Sequence, residues 1–231
     1  MTRRRPIIAI DGPAGSGKST TARAAAERLG YAHLDSGAVY RAVTLAALEA
    51  IGDDPVVWTP DRVIAEALAH AVSVGAQGGV FRVALGGRDA EPAIRSEAVT
   101  RHVSHVAAMS EVREFVTVLL RAAGRDGGVV MDGRDIGTVV FPDAEVKVYL
   151  VADAEERARR RLAERGRAST DRLVKAEAGA LLSRDRRDST RAVAPLMRAD
   201  GAVEIDTTHL SFEEQVTRVV ELARRATASR A

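Results

Sequence analysis

The sequence predicts an α/β fold of three layers, in which a mainly parallel sheet lies between helices and carries a small antiparallel β insertion. Strand-like segments alternate with helix-like segments along most of the chain, which favours a parallel sheet with helices on both faces. Residues 7–10 form a continuous apolar run, as central strands of such sheets do. Residues 71–91 instead alternate with period two around glycine-rich turns, which indicates an antiparallel hairpin.

The other elements follow from the same patterns and from helix start and stop signals. Their predicted order is a strand at 6–11, a helix at 18–29, a strand at 32–34, helices at 38–50 and 60–69, the hairpin, helices at 96–108 and 111–124, strands at 128–133 and 146–152, helices at 155–165 and 171–188, a strand at 202–205 and a helix at 212–226. Thr59 is the expected N-cap of the helix at 60–69. The hairpin, with its turn at 75–79, interrupts the alternation and is interpreted as an insertion.

Composition excludes several classes of protein. A chain of 231 residues suits one α/β domain with insertions, or at most two small domains. Hydrophobic residues make up 46% and aromatic residues only 3%, so the core must be aliphatic. The absence of cysteine excludes disulfides and cysteine-ligated metal centres. We recognise neither a signal peptide nor a membrane helix, and we therefore expect a cytoplasmic protein.

Charge is unevenly distributed although the net charge is only +2. Residues 157–198 contain 12 Arg and 1 Lys against 5 acidic residues, a local excess of +8. Such a stretch favours an anionic ligand, whereas a solvated helix face is the alternative. It contains no aromatic residue on which a single-stranded nucleic acid could stack. We therefore expect small phosphorylated molecules as partners, and neither nucleic acid nor membrane.

Residues 12–19, GPAGSGKS, match the phosphate-binding pattern G-x-x-x-x-G-K-[ST] between a predicted strand and a predicted helix. Glycines let backbone N–H groups surround a phosphate, and the helix N-terminus points its positive dipole end at the same anion. Lys18, one of three lysines against 31 arginines, can reach the β- and γ-phosphates, and the Ser19 hydroxyl can ligate Mg²⁺. The predicted ATP-binding residues are Gly12, Pro13, Ala14, Gly15, Ser16, Gly17, Lys18, Ser19 and Thr20.

Two further motifs offer phosphate or metal ligands. Asp132 ends a predicted strand, where ligands bind in open α/β sheets, so that it either helps to hold Mg²⁺ or caps the next turn. Arg134 and Asp135 offer a donor fork beside an acceptor, or a surface ion pair.

A helix cap would explain Ser36 at the start of a predicted helix, but it would not explain Arg41 one turn later. The five histidines show no metal-ligand spacing and are interpreted as structural.

The second basic helix carries residues suited to a lid. Arg184, Arg187, Asp188 and Arg191 flank a break in the helical pattern that Pro195 closes. Arginines can stabilise the charge that builds on a transferred phosphoryl group. They must arrive with the substrates, since ATP would otherwise be hydrolysed, and a mobile helical lid meets that need. A salt bridge is the alternative role for Asp188.

Three segments, together with the glycine-rich loop, resemble the signatures of the bacterial cytidylate kinase family of P-loop nucleoside monophosphate kinases. They are DSGAVYR at 35–41, DGRDIGTVVFPDA at 132–144 and RDSTRAVAPL at 187–196. The resemblance covers about residues 7–208. It implies a P-loop NTPase fold and ATP-dependent, Mg²⁺-assisted phosphorylation of CMP and dCMP by a monomer. The open alternatives are another acceptor, such as UMP, AMP or shikimate, and a nucleotide-gated switch or nucleic-acid-binding module.

The resemblance also implies an internal organisation and residue roles. The single domain would comprise a core (1–36, 125–156, 200–231), a monophosphate-binding lobe with the β insertion (37–124) and a lid (157–199). The implied CMP-binding residues are Ser36, Arg41, Ser104, Arg113, Arg134, Asp135, Arg184, Asp188 and Arg191. Lys18, Arg184 and Arg191 would be catalytic, and Ser19 and Asp132 would hold the metal. Ser104 and Arg113 rest on the resemblance alone, through SHVAAMSEVRE at 104–114.

Overall fold

The structure, a computed structural model, describes residues 5–228. The strands in this range are β1 (Ile7–Asp11), β2 (Ala32–Asp35), β3 (Ser73–Gln77), β4 (Val80–Leu85), β5 (Arg88–Asp89), β6 (Val129–Gly133), β7 (Val146–Val151) and β8 (Val203–Asp206). The α-helices are α1 (Lys18–Leu29), α2 (Ser36–Ile51), α3 (Pro60–Ala69), α4 (Glu91–Ile94), α5 (Glu97–Val106), α6 (Ser110–Gly124), α7 (Ala154–Glu164), α8 (Asp171–Thr190) and α9 (Phe212–Ala228). A 3₁₀ turn at Pro55–Val57 lies between α2 and α3, and a π-helical turn at Ile136–Val140 lies between β6 and β7.

The strands form one sheet in the order β3-β4-β2-β6-β1-β7-β8, with β5 paired to β4. The strands from β2 to β8 in this order are parallel, which confirms the predicted parallel sheet. Side chains alternate across β1, so that Ile7 and Ala9 join the core on one face, and Ile8 and Ile10 join the core on the other. Helices therefore cover both faces of the sheet around an aliphatic core, as the sequence predicts.

The predicted hairpin is present, but it extends the main sheet. Strands β3 and β4 pair antiparallel and turn at Gly78 and Gly79, both with positive φ, so the turn is shorter than the expected 75–79. Strand β4 also pairs in parallel with β2 through His33 and Val80. The insertion thus adds an edge to the same sheet and shares a core with α2, α5 and α6.

Several helix ends agree with the sequence signals, whereas others differ. α1 begins at Lys18 and ends before Gly30, whose φ of 63° suits the left-handed cap that glycine adopts easily. The Arg62 N–H donates to the Thr59 side chain at the start of α3, as predicted. α8 continues to Thr190, two residues beyond the predicted end, so the break falls between Arg191 and Pro195. No helix within residues 5–228 combines the length and apolarity needed to cross a membrane.

Helices α7 and α8 pack against each other and against the glycine-rich loop. Their shared core consists of Ala14, Ala158, Leu162, Val174, Ala178 and Leu181. The pair therefore brings the arginine-rich stretch next to the loop that follows β1.

Candidate active site

The carboxyl ends of β1, β2 and β6 meet at one edge of the sheet and bring the predicted motifs together. The glycine-rich loop follows β1, Ser36 begins α2 directly after β2, and Arg134 follows β6. Because these strands are parallel, their ends open onto the same crevice. This space, called the cleft below, has a volume of about 430 Å³. Its lining includes Lys18, Ser19, Arg41, Asp132, Arg134 and Arg184.

Glycines shape the loop that forms one wall of this cleft. Gly12, Gly15 and Gly17 have φ values of 148°, 76° and 86°, which side-chain-bearing residues rarely adopt. A Cβ on Gly12 would lie 2.1 Å from the carbonyl oxygen of Leu150. The loop therefore passes so close to β7 that only glycine fits, and its backbone turns toward the cleft.

Lys18 lies buried at the end of the loop. Its Nζ donates to the carbonyl oxygen of Pro13 at 2.6 Å and lies 3.4 Å from Ser16 Oγ. Burial lowers the pKa of Lys18 well below its usual value, and the nearby Arg134 acts in the same direction. A bound phosphate would reverse this effect, since an adjacent anion favours the charged ammonium.

Ser19, Asp132 and His33 form a chain of polar contacts opposite Lys18. Ser19 Oγ donates to Asp132 Oδ2 at 2.5 Å, while His33 Nε2 lies 2.7 Å from Asp132 Oδ1. His33, which sequence analysis treated as structural, thus fixes the predicted metal carboxylate. Pairing of β2 with β6 places His33 and Asp132 on the same sheet face, and that pairing was the missing signal.

The Ser19 and Asp132 oxygens fit Mg²⁺. Among residues 5–228, no three His, Cys, Asp or Glu side chains are grouped so that they could hold a metal ion. Mg²⁺ does not require such a group, because it is commonly held by one or two carboxylates, water and substrate phosphates. The hydroxyl and carboxylate beside the glycine-rich loop match that donor set.

Asp11, which sequence analysis did not select, positions the segment after β6. Its carboxylate accepts hydrogen bonds from the Ile136 N–H at 2.8 Å and the Gly137 N–H at 2.7 Å. Burial raises the pKa of Asp11 to about 6 although these bonds oppose the rise. The carboxylate therefore ties the end of β1 to the π-helical turn that follows Arg134 and Asp135.

Three of the predicted acceptor arginines lie on the cleft with Lys18. Arg41 Nη1 donates to Thr100 Oγ1 at 2.8 Å and to the Ile94 carbonyl oxygen at 3.3 Å. Arg134 Nε donates to Asp188 Oδ2 at 3.1 Å, which links the segment after β6 to α8. The cleft also contains residues that sequence analysis missed, among them Arg95, Thr100 and Arg165.

Arg184 combines a lowered pKa with a buried donor that has no acceptor in the described part of the chain. Burial lowers its pKa to about 10, and repulsion from Arg134 contributes further. Its Nε is buried without a hydrogen-bond partner among the described residues. A buried donor of this kind is costly unless a ligand accepts its hydrogen bond. Together with Arg41 and Arg134 on the same cleft, Arg184 therefore makes the cleft suited to an anionic ligand.

The remaining predicted residues surround a smaller cavity of about 60 Å³ that adjoins the cleft. They are Ser104, Arg113, Asp135, Asp188 and Arg191, with Ser36, Arg134 and Arg184 shared between the two spaces. Arg113 forms a buried salt bridge with Asp135, and its Nη1 donates to the Ala107 carbonyl oxygen at 2.9 Å. The structure thus places Arg113 and Arg191 in this inner cavity and not on the cleft wall with Lys18.

Arg191 is held from two sides in the inner cavity. Its Nε donates to the Ala194 carbonyl oxygen at 2.5 Å, and its Nη2 lies 4.0 Å from Asp135 Oδ1. Burial lowers its pKa, with repulsion from Arg113 second. Four arginines and two carboxylates, including Asp188, thus line a space that also contains the Tyr40 ring.

A glycine-rich loop with a buried lysine, a serine–aspartate pair and facing arginines defines the class of P-loop kinases for small phosphorylated acceptors. Comparison with known proteins narrows the class, because the family model for cytidylate kinase matches residues 8–225. The chain is 47% identical over 226 residues to a cytidylate kinase of Pelodictyon phaeoclathratiforme, covering 96% of both chains. It is 46% identical over 222 residues to that of Exiguobacterium sibiricum, covering 95% of this chain and 97% of the relative. The chain belongs to the cytidylate kinase family of nucleoside monophosphate kinases.

The shikimate kinase from Acinetobacter baumannii in complex with shikimate aligns over 96% of this chain and 95% of its own, with 18% identity and a TM-score of 0.46. The fold assignment rests on the sheet topology described above and on the family membership.

Proposed function

We propose that the protein transfers the γ-phosphoryl group of ATP to CMP and dCMP, producing CDP and dCDP. The observation that carries this proposal is the cleft in which Lys18 faces Arg41, Arg134 and Arg184, with a buried Arg184 donor left for a ligand. Family membership supports the choice of acceptor, because the relatives are named cytidylate kinases. Catalysis would rest on positioning and charge stabilisation, without a covalent intermediate.

The donor wall would bind the triphosphate. The loop backbone would cradle the phosphates while Lys18 Nζ moves from Pro13 to a phosphate oxygen. Ser19 Oγ and the Asp132 carboxylate would hold Mg²⁺, which neutralises charge on the phosphate oxygens when bound. His33 would keep the Asp132 carboxylate oriented through its 2.7 Å contact.

The arginines of the cleft would bind the acceptor phosphate. Their guanidinium forks suit phosphate oxygens. The Arg184 Nε, which has no acceptor among the described residues, would donate a charge-assisted hydrogen bond to the phosphate. A monophosphate is largely ionised at neutral pH, with a second pKa near 6, so the attacking oxygen needs no strong general base. The described cleft offers arginines rather than a histidine base, in accord with that requirement.

The inner cavity of about 60 Å³ would have to widen to bind the nucleoside of the acceptor. Ser104, Arg113 and Asp135 provide a hydroxyl, a donor fork and a carboxylate, which together can pair with the amino and carbonyl groups of cytosine. Asp188 and Arg191 lie at the same cavity, where the sugar would pass toward the cleft. We assign Arg113 and Arg191 to this nucleoside side, because both cluster with Asp135.

Assembly and location are part of the same proposal. We infer a monomer from the resemblance to the cytidylate kinase family. Soluble nucleotides as substrates support a cytoplasmic location.

An acceptor panel tests the proposed function. The protein is incubated with Mg-ATP and, separately, CMP, dCMP, UMP, AMP, GMP or shikimate, and the phosphorylated product is identified by chromatography. We expect CDP and dCDP as the main products, with UMP a weaker acceptor. A larger rate with AMP, GMP or shikimate than with CMP would contradict the assignment.

A further inference from the structure

Helix α8 contacts the glycine-rich loop through a closed set of hydrogen bonds at Ala14. Asp185 Oδ1 accepts from the Ala14 N–H at 3.1 Å, and Asp185 Oδ2 accepts from Arg157 Nη1 at 2.5 Å. The same Arg157 Nη1 donates to the Ala14 carbonyl oxygen at 3.0 Å. Both backbone groups of one loop residue are therefore held by side chains from α7 and α8.

This contact is shielded from solvent. The Arg157 side chain is 5% exposed and the Asp185 side chain 16% exposed. Ala14 packs against residues of both helices, including Leu162 and Leu181. A Cβ on Gly15 would lie 3.2 Å from Arg157 Cβ, so the loop and α7 touch without a gap. A shielded arginine needs its carboxylate partner, because breaking a buried ion pair leaves an uncompensated charge.

Asp185 adjoins the residues of α8 that face the substrates. Arg184 and Asp188 are four positions apart, and residues at this spacing share one face of a helix. Both line the inner cavity, and Arg184 also lines the cleft. Asp185 lies one position further round the helix, about 100° away, and contacts the loop instead. The contact at Ala14 therefore fixes both the rotation and the height of α8 relative to Lys18.

We propose that Asp185 is a positioning residue that couples the glycine-rich loop to the lid helix and thereby sets Arg184 opposite Lys18 for phosphoryl transfer. The inference rests on the proposed function, since it concerns the alignment of the same two walls. The sequence predicts a mobile lid, whereas the structure anchors α7 and α8 at Ala14. Movement of the lid is then confined to segments away from this anchor.

The test compares Asp185→Asn and Asp185→Glu with wild type, and uses Asp171→Asn as the matched control. Asp171 lies exposed in the first turn of the same helix, away from both substrate spaces. For each variant, kcat, the two KM values and the affinity for Mg-ATP alone by calorimetry are measured at a temperature where circular dichroism shows the folded state.

For Asp185→Asn we expect kcat to fall about 100-fold, since small misplacements of catalytic groups cost this much. Both KM values and the Mg-ATP affinity should stay within about threefold of wild type, because each wall still binds its own ligand. The kcat of Asp185→Glu should be at least about tenfold higher than that of Asp185→Asn, because the carboxylate is restored. The kcat of Asp171→Asn should match that of wild type.

Three results would overturn the inference. The first is an Asp185→Asn kcat within about twofold of wild type, and the second is an equal loss in Asp185→Glu, which would show that the carboxylate is not what matters. The third is a loss of Mg-ATP affinity without a loss of kcat, which would show that Asp185 only maintains the conformation of the glycine-rich loop. Failure of wild type to form CDP would instead refute the proposed function and is read from the same assay.

Discussion

The two walls of the cleft are built in different ways. The donor wall consists of consecutive residues, 12–19, whose backbone geometry is set by three glycines with positive φ. The acceptor wall consists of long side chains from distant elements, with Arg41 on α2, Arg134 after β6 and Arg184 on α8. One wall is thus fixed by local conformation, whereas the other depends on the packing of three separate segments.

The walls also differ in electrostatics. Burial lowers the pKa of Arg41 and of Arg184, and repulsion from neighbouring arginines adds to each shift. An arrangement of desolvated cations is costly by itself and is stabilised by binding an anion. Burial also lowers the pKa of Lys18 on the donor wall, but its Nζ has a protein acceptor in the Pro13 carbonyl oxygen, whereas the Arg184 Nε has none among the described residues. We therefore expect the donor wall to be formed before substrates bind and the acceptor wall to be completed by its substrate.

Removal of the single cation of the donor wall should have the largest effect. Lys18→Met should lower kcat about 10³-fold, because Lys18 is the only lysine that lines the described cleft and would contact the transferred phosphate in the proposed reaction. Lys175→Met, an exposed lysine of α8, serves as the control and should retain wild-type kcat. A Lys18→Met kcat within about tenfold of the wild-type value would show that Lys18 is not needed for phosphoryl transfer.

The Asp11 carboxylate, which joins the walls, should give a characteristic pH dependence of stability. Its pKa is raised to about 6 from 3.8 by burial, so the folded protein retains a proton that the unfolded chain has lost. The contribution of Asp11 to the free energy of unfolding should therefore fall by about 2 kcal/mol as pH rises from 4 to 6, and level off above about pH 7.

Denaturant titrations of wild type and Asp11→Asn at several pH values check this sign. The free energy of unfolding of wild type minus that of the variant should decrease between pH 4 and 6. A difference that increases over this range would mean that the native protein favours the ionised carboxyl.

On the acceptor wall, charge without the guanidinium fork should be insufficient. Arg184→Lys retains a cation but loses the planar donors, so kcat should fall about 30-fold, an intermediate loss for a phosphate-clamping arginine. Steady-state rates with CMP measure the effect, and Arg172→Lys on the exposed part of the same helix is the control. Full activity of Arg184→Lys would show that charge alone is needed.

The smallest effect concerns the support of one acceptor arginine. Thr100→Val removes the hydroxyl that accepts from Arg41 at 2.8 Å, while the Ile94 carbonyl contact remains. The KM for CMP should rise about threefold with an unchanged KM for ATP, since one modest hydrogen bond is lost. An equal rise in both KM values would contradict the separation of the two walls.

The same difference between the walls explains what the sequence could predict. The phosphate-binding loop and α1 (Lys18–Leu29) follow from local signals, since glycine spacing and helix caps act over a few residues. The parallel sheet follows from the alternation of elements. Local sequence singled out Arg41, Arg134 and Arg184, but only the family resemblance assigned them to one acceptor, because no local pattern brings the three to one cleft. Ser104 and Arg113 were named through the resemblance alone.

Other features depended on contacts across the fold. The position of Arg113 in the inner cavity requires α6 to pack beside Asp135, which no periodicity shows. Asp11 and His33 act through the pairing of β1 and β2 with β6, and their partners are separated by 99 residues or more. The π-helical turn at Ile136–Val140 is short and lacks a sequence signal that we could use.

The most direct test of the central claim is the rate of ADP release from Mg-ATP with saturating CMP, divided by the rate without an acceptor. If the acceptor wall is completed by its substrate, release should rise at least about 100-fold when CMP is added, since the arginines then act on the transferred group. Equal rates with and without CMP would contradict the account, because the cleft would then hydrolyse ATP independently of its acceptor wall.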